Sequence, residues 1–120
     1  AISSDNKFLV SGGDYSYLQL FDLSTGNNKP RVFKSKTSET WFVGFTSDGK
    51  GVISAGNDKN ILYWNLSNGN SSVISASSVK INTIAISPIG NKIVVGKDNG
   101  EISIIDLDKN NEVSILHQDN

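Results

Sequence analysis

The chain of 120 residues offers little from which to build a nucleophile: one histidine, His117, together with eighteen serines and twelve acidic residues. A Ser-His-Asp relay needs its serine on a sharp, exposed turn, yet no Gly-x-Ser-x-Gly run exists, and His117 stands beside the final residues. With no cysteine there is no disulfide, thiolate metal site or thiol nucleophile, and a single histidine removes most zinc chemistry. Asp98, Asp106 and Asp108 lack the dense alternation of oxygen ligands found in a calcium loop, so turn and strand-end roles account for them. Gly12-Gly13-Asp14 and Asp98-Asn99-Gly100 are glycine turns with no helix behind them to cradle a phosphate. The expectation is therefore no catalytic residue, no cofactor and no metal: not an enzyme.

Binding chemistry is similarly constrained. Lys29, Arg31, Lys34 and Lys36 form a basic stretch, but they fall on an expected outermost strand, where lysine blocks edge pairing and stays solvated. A formal net charge of −1 and a pI near 5.7 give no field that would draw in nucleic acid or an anionic membrane. Neither is expected as a partner. Asn65-Leu66-Ser67 and Asn70-Ser71-Ser72 match glycosylation acceptors, a pattern that arises by chance in a chain rich in Asn and Ser.

The elements that must carry these residues are strands. Leu, Ile, Val and Phe number 35, enough for a packed core, and 22 of them are Ile or Val, against 4 Ala, 3 Glu and no Met. The 32 Asn and Ser residues cluster with Gly between short apolar runs, as tight turns between strands require. No apolar stretch approaches the roughly 20 residues needed to span a bilayer. The start AISSDNKF has neither a basic segment nor an apolar one, so a soluble, cytoplasmic chain is expected. Beginning at Ala1 rather than Met, it reads as a processed or excised piece.

Internal repetition is the main signal. AISSDNKFLVSGGDYSYLQLFDL from Ala1, GFTSDGKGVISAGNDKNILYWNL from Gly44 and AISPIGNKIVVGKDNGEISIIDL from Ala85 align without a gap over 23 residues, at offsets of 43 and 41. Each copy holds three apolar runs separated by turns. A fourth strand fits before the next copy, at Pro30 to Lys34, Ser72 to Ala76 and Glu112 to Leu116, making each repeat a four-stranded antiparallel meander. On the third strands Leu18, Leu20, Ile61, Tyr63, Ile102 and Ile104 are expected to share one face, and Trp64 to be core.

These residues resemble the WD40 β-propeller family, whose repeats run to roughly 40–45 residues. The second copy resembles it best, from the Thr46-Ser47-Asp48-Gly49 turn to Trp64-Asn65, where the family closes on Trp-Asp. The resemblance implies an all-β fold of WD40-type blades, with blade 1 at about 1–35, blade 2 at 36–76 and blade 3 at 77–118. It also implies a buried tetrad of His, Ser, Asp and Trp. Ser54, Asp58 and Trp64 would be three of its members, but Ser35-Lys36 and Ala76-Ser77 stand where the family often has Gly-His. The first copy has Ser11, Tyr15 and Phe21 at the tetrad positions and the third has Val95, Asn99 and Ile105, so apolar packing is expected to dominate. Propellers close with 4–8 blades, so about three blades make an incomplete ring, expected to be completed by further blades of the same chain or another.

In a meander the connections alternate between two rims. The resemblance implies that the rim formed by the second-to-third connections and by the links between blades binds partners. It carries Asp14, Lys36, Glu39, Trp41, Asn57, Lys80, Asn82 and Asp98, a mixture of aromatic and charged groups suited to a protein or peptide partner. The bland alternative has Trp41 packed between blades and the charges merely solvated. The leading expectation is a non-enzymatic scaffold for protein interaction. A ligand-sensing region of a larger signalling or defence protein is the alternative, and part of a catalytic propeller enzyme the third reading.

Overall fold

The computed structural model describes residues 1–14, 16–26, 28–34 and 39–117. Eleven strands and no helix occur among them: β1 (Phe8–Ser11), β2 (Tyr17–Asp22), β3 (Arg31–Lys34), β4 (Thr40–Phe45), β5 (Gly51–Gly56), β6 (Asn60–Asn65), β7 (Ser71–Ala76), β8 (Ile81–Ile86), β9 (Lys92–Lys97), β10 (Ile102–Asp106) and β11 (Glu112–His117). They form three antiparallel sheets, β1-β2-β3, β4-β5-β6-β7 and β8-β9-β10-β11, in which every strand pairs with its neighbour in sequence. The turns follow local chemistry, since Gly49, Gly69, Gly90 and Gly100 all adopt positive φ at strand connections. The architecture is that of propeller blades in an incomplete ring.

The first sheet has three strands where a four-stranded meander was expected. Its innermost strand is reduced to a bridge between Ile2 and Leu9, with the Ala1 amine donating to the Val10 carbonyl at 2.9 Å.

The sheets stack face to face along β1, β4 and β8. One core cluster joins Val10, Leu18, Leu20 and Phe33 of the first sheet to Val52, Leu62 and Trp64 of the second. Another joins Ile53, Ala55 and Ile61 to Ile81, Ile84, Ile93, Val95 and Ile105 of the third. Because strand side chains alternate, β6 sends Leu62 and Trp64 backward and Ile61 and Tyr63 forward, which makes the second sheet the buried middle layer. Gly44 permits the close stacking, for a Cβ there would lie 2.7 Å from Ile86 Cδ1.

The shared face expected for the third strands is present, and each sheet points it at the sheet that follows. Leu18 and Leu20 are buried against the second sheet, and Ile61 and Tyr63 pack against the third. Ile102, at the same repeat position on the third sheet, is 38% exposed, since none of the described sheets packs on that face.

Candidate functional site

The heads of β4 and β8 share a rim with the β1–β2, β5–β6 and β9–β10 turns, and a β-bulge interrupts each of these two strands at its first pairing. In β4 the register passes from Thr40↔Gly56 to Phe42↔Ala55, leaving Trp41 as the unpaired extra residue. In β8 it passes from Ile81↔Lys97 to Thr83↔Gly96, leaving Asn82. A bulge re-aims its extra side chain out of the pleat. Trp41 is accordingly 42% exposed, edge-on to Phe42 at 6.4 Å, rather than packed between blades.

Each bulge is flanked by an amide–carboxylate pair that links a turn to the head of an innermost strand. Asn57 donates its Nδ2 to Glu39 Oε2, and Asn82 donates its Nδ2 to Asp98 Oδ1 at 3.2 Å. Gly56 is needed here, because a Cβ at that position would collide with the Glu39 carbonyl oxygen. Asp98 is further anchored through its own N–H, which donates to the Lys80 carbonyl at 2.9 Å. Asp14 occupies the position in the first copy that Asn57 and Asp98 occupy in theirs, and beside it the Gly13 carbonyl accepts from the Thr40 N–H at 2.9 Å. The structure thus gathers Glu39, Trp41 and Asn57 in one group and Lys80, Asn82 and Asp98 in the next, all on one rim; Lys36 lies outside the described residues.

Of the three tetrad-like residues, two meet. Trp64 Nε1 donates to Ser54 Oγ at 2.8 Å in the core, with the indole 1% exposed. Asp58 is corrected out of that group: it is exposed on the β5–β6 turn, where its carboxylate accepts from the Asn60 N–H and Nδ2, each at 3.2 Å. The sequence has no histidine at the family's position, and among the described residues none bridges the turn carboxylate to the buried hydroxyl. The indole stacks on Phe33 of the first sheet instead, centroids 6.1 Å apart and planes 13° apart.

Arg31 is exposed on the edge strand β3, as the sequence reading has it, and makes two contacts there. Its guanidinium lies 5.0 Å from the Phe33 ring centroid, and Nη1 donates to the Leu66 carbonyl of the second sheet at 2.8 Å. Asp98, Asp106 and Asp108 do not converge: Asp98 is on the rim just described, Asp106 lies 4.0 Å from the Lys92 ammonium, and Asp108 accepts from Asn91. Among the described residues no group of three His, Asp or Glu side chains is placed to hold a metal ion.

Sequence reading missed the polar clamp at the opposite rim. Asn91, read only as part of a hairpin turn, adopts φ +48 and is buried. Its Oδ1 accepts from Ser47 Oγ at 2.7 Å and from the Asp48 N–H at 3.2 Å, while its Nδ2 donates to Asp48 Oδ2 at 2.8 Å and Asp108 Oδ1 at 3.1 Å. Burial works to raise the Asp48 carboxyl, but hydrogen bonds from Thr46, the Lys50 N–H and Asn91 outweigh it and hold the group below its ordinary value. Burial, and then the Asp48 charge, push the neighbouring Tyr63 phenol up.

The sequence model described as "WD domain, G-beta repeat" matches residues 27–65, spanning the end of the first sheet and most of the second. "Target of rapamycin complex subunit LST8" of Mus musculus is 27% identical over 109 residues, covering 88% of this chain and 33% of that protein, and its Bos taurus counterpart matches equally. The "U3 small nucleolar RNA-associated protein 15 homolog" of Xenopus laevis is 37% identical over 65 residues, 54% of this chain and 12% of that protein. The chain spans about a third of the length of the first of these relatives.

Proposed function

We propose that this chain, which carries a WD-domain match over residues 27–65 and resembles WD-repeat proteins, is a scaffold that holds a protein or peptide partner on the rim bearing Glu39, Trp41, Asn57, Lys80, Asn82 and Asp98. The observation that carries this reading is the bulge that turns Trp41 to solvent at 42% exposure, on a strand whose other described aromatics, Phe42 and Phe45, are packed against the core. An exposed tryptophan set among oriented polar groups is the composition of a binding hot spot. No catalytic step is part of the proposal, and neither are nucleic acid, a membrane or a cofactor; the setting we assign is cytoplasmic.

The same reading takes residues 1–35, 36–76 and 77–118 as successive blades of a partial propeller. Its two end faces expose Ile2 and Leu23 on one side and Val94 and Ile102 on the other. Further blades of the same or another chain cover them, since uncovered apolar faces of this kind are a liability for a repeat array.

Reversing Glu39 and Lys80 tests the rim. The double variant is expected to lose partner capture from the source cell while melting as the parent does, because exposed charges steer association and contribute little to stability. Reversal of Lys109 and Glu112, on the opposite rim, is expected to leave capture intact. The inverse pattern overturns the assignment of the face.

A further inference from the structure

The bulged rim also discloses what chemistry its partner must bring. Asn57 and Asn82 each commit one Nδ2 hydrogen to a carboxylate, Glu39 and Asp98 respectively, which fixes the orientation of each amide and leaves its carbonyl oxygen and second N–H for a partner. Glu39 and Asp98 are exposed, and among the described residues neither is in an ion pair. Of the described lysines on this rim, Lys59 Nζ donates to the Ser78 carbonyl at 3.5 Å, Lys97 pairs with Glu101 at 2.6 Å, and Lys80 contacts Asp98 through its backbone carbonyl. The Glu39–Asn57 pair stands at the bulge that exposes Trp41, whose ring face attracts cations, and the Asn82–Asp98 pair stands at the matching bulge of the next sheet. Two exposed carboxylates and an open indole thus share one rim.

Resting on the rim reading above, we propose that the partner presents a basic side chain, an arginine in best fit, to the surface formed by Trp41, Glu39, Asn57, Asn82 and Asp98. A guanidinium is flat enough to lie on the indole and carries five donors for the surrounding oxygens, whereas an ammonium offers three donors from a point charge. The bulges make this a built feature of the rim, because without them Trp41 and Asn82 would return to the alternating pleat.

The test uses the full chain with 5-fluorotryptophan in place of tryptophan, whose Trp41 resonance is assigned by Trp41→Phe and whose buried Trp64 resonance is the internal control. N-acetyl-arginine amide is expected to shift the Trp41 signal saturably while leaving Trp64 unmoved, and N-acetyl-lysine amide to do so more weakly. N-acetyl-glutamate amide is expected to have no effect. Glu39→Gln with Asp98→Asn is expected to weaken the arginine response roughly threefold to tenfold, the range for removing two exposed charges. Equal responses to arginine and glutamate amides, no response to either, or a response indifferent to the double variant overturns the inference. The rim reading is judged separately by the charge-reversal capture: a partner lost on reversing Glu39 and Lys80, with no arginine-amide response, leaves the scaffold standing and removes its basic ligand.

Discussion

The two junctions between sheets are built from repeats that align residue for residue, yet they are held differently. Between the first and second sheets the contact is aromatic, with Trp64 stacked on Phe33, anchored through Ser54, and Arg31 reaching across to Leu66. Between the second and third it is aliphatic, an isoleucine-rich core closed at one rim by the Asn91 clamp. The position that is Trp64 in the second copy is Ile105 in the third, and Ser54 becomes Val95, so the third blade has no indole donor to satisfy and no hydroxyl to satisfy it. Its polar fastening moves to the edge, where Asn91 replaces the Lys50 of the copy before. Blade stacking therefore demands apolar area and satisfied polar groups, and does not dictate which residues supply them.

The largest way to break this comparison is Trp64→Ala. It is expected to destabilise the protein by about 3–5 kcal/mol in chemical denaturation, the usual cost of deleting a large buried aromatic. Hydrogen exchange should place the loss at the first junction, with faster exchange in β1 and β2 and near-parent protection in β9 and β10. Uniform loss throughout would show that the two junctions open as one unit.

Asn91→Ala is the counterpart at the second junction. Ser47 and Asp48 lose their shared partner and the positive φ loses a residue type that tolerates it, so a loss of roughly 1–3 kcal/mol is expected. Asn91→Gly, which keeps the backbone freedom and removes only the amide, separates the two causes when its denaturation midpoint is compared with that of the alanine variant. Arg31→Ala should cost less, about 1 kcal/mol or below, since its hydrogen bond is exposed. A melting temperature as low as that of Trp64→Ala would show that the guanidinium, not the indole, holds the first junction.

The smallest effect is in pH. Hydrogen bonding holds the Asp48 carboxyl below its ordinary value in the folded protein, so its contribution is fully present above the unfolded value and is lost as pH falls through the folded one. Melting temperatures of the parent and Asp48→Asn should differ at pH 7 and converge as pH drops below about 4. A difference that persists after the Asp48 carboxyl has itself titrated, followed by its carbon-13 NMR signal, would assign the clamp to hydrogen bonding independent of the charge.

What could be read from the chain alone was whatever depends on neighbours in sequence. Period-two alternation places Leu18, Ile61 and Ile102 on equivalent faces, the glycine turns set the meander, and three copies in register name the blade. The absence of thiols and the lone His117 bound the chemistry from the sequence alone. Alternation defines two faces of a strand but not what lies against either one, which is why Leu18 is sealed while Ile102 stands open. Tertiary structure decided that Asn91 reaches Ser47, 44 residues away, and that Arg31 crosses to the second sheet. It also decided that Asp58 stays at its turn and that a bulge carries Trp41 into solvent. Each of these is a meeting of residues from different strands or sheets, or a slip of one strand against the next, and pairing across such distances is fixed by packing the sheets together rather than by any local preference.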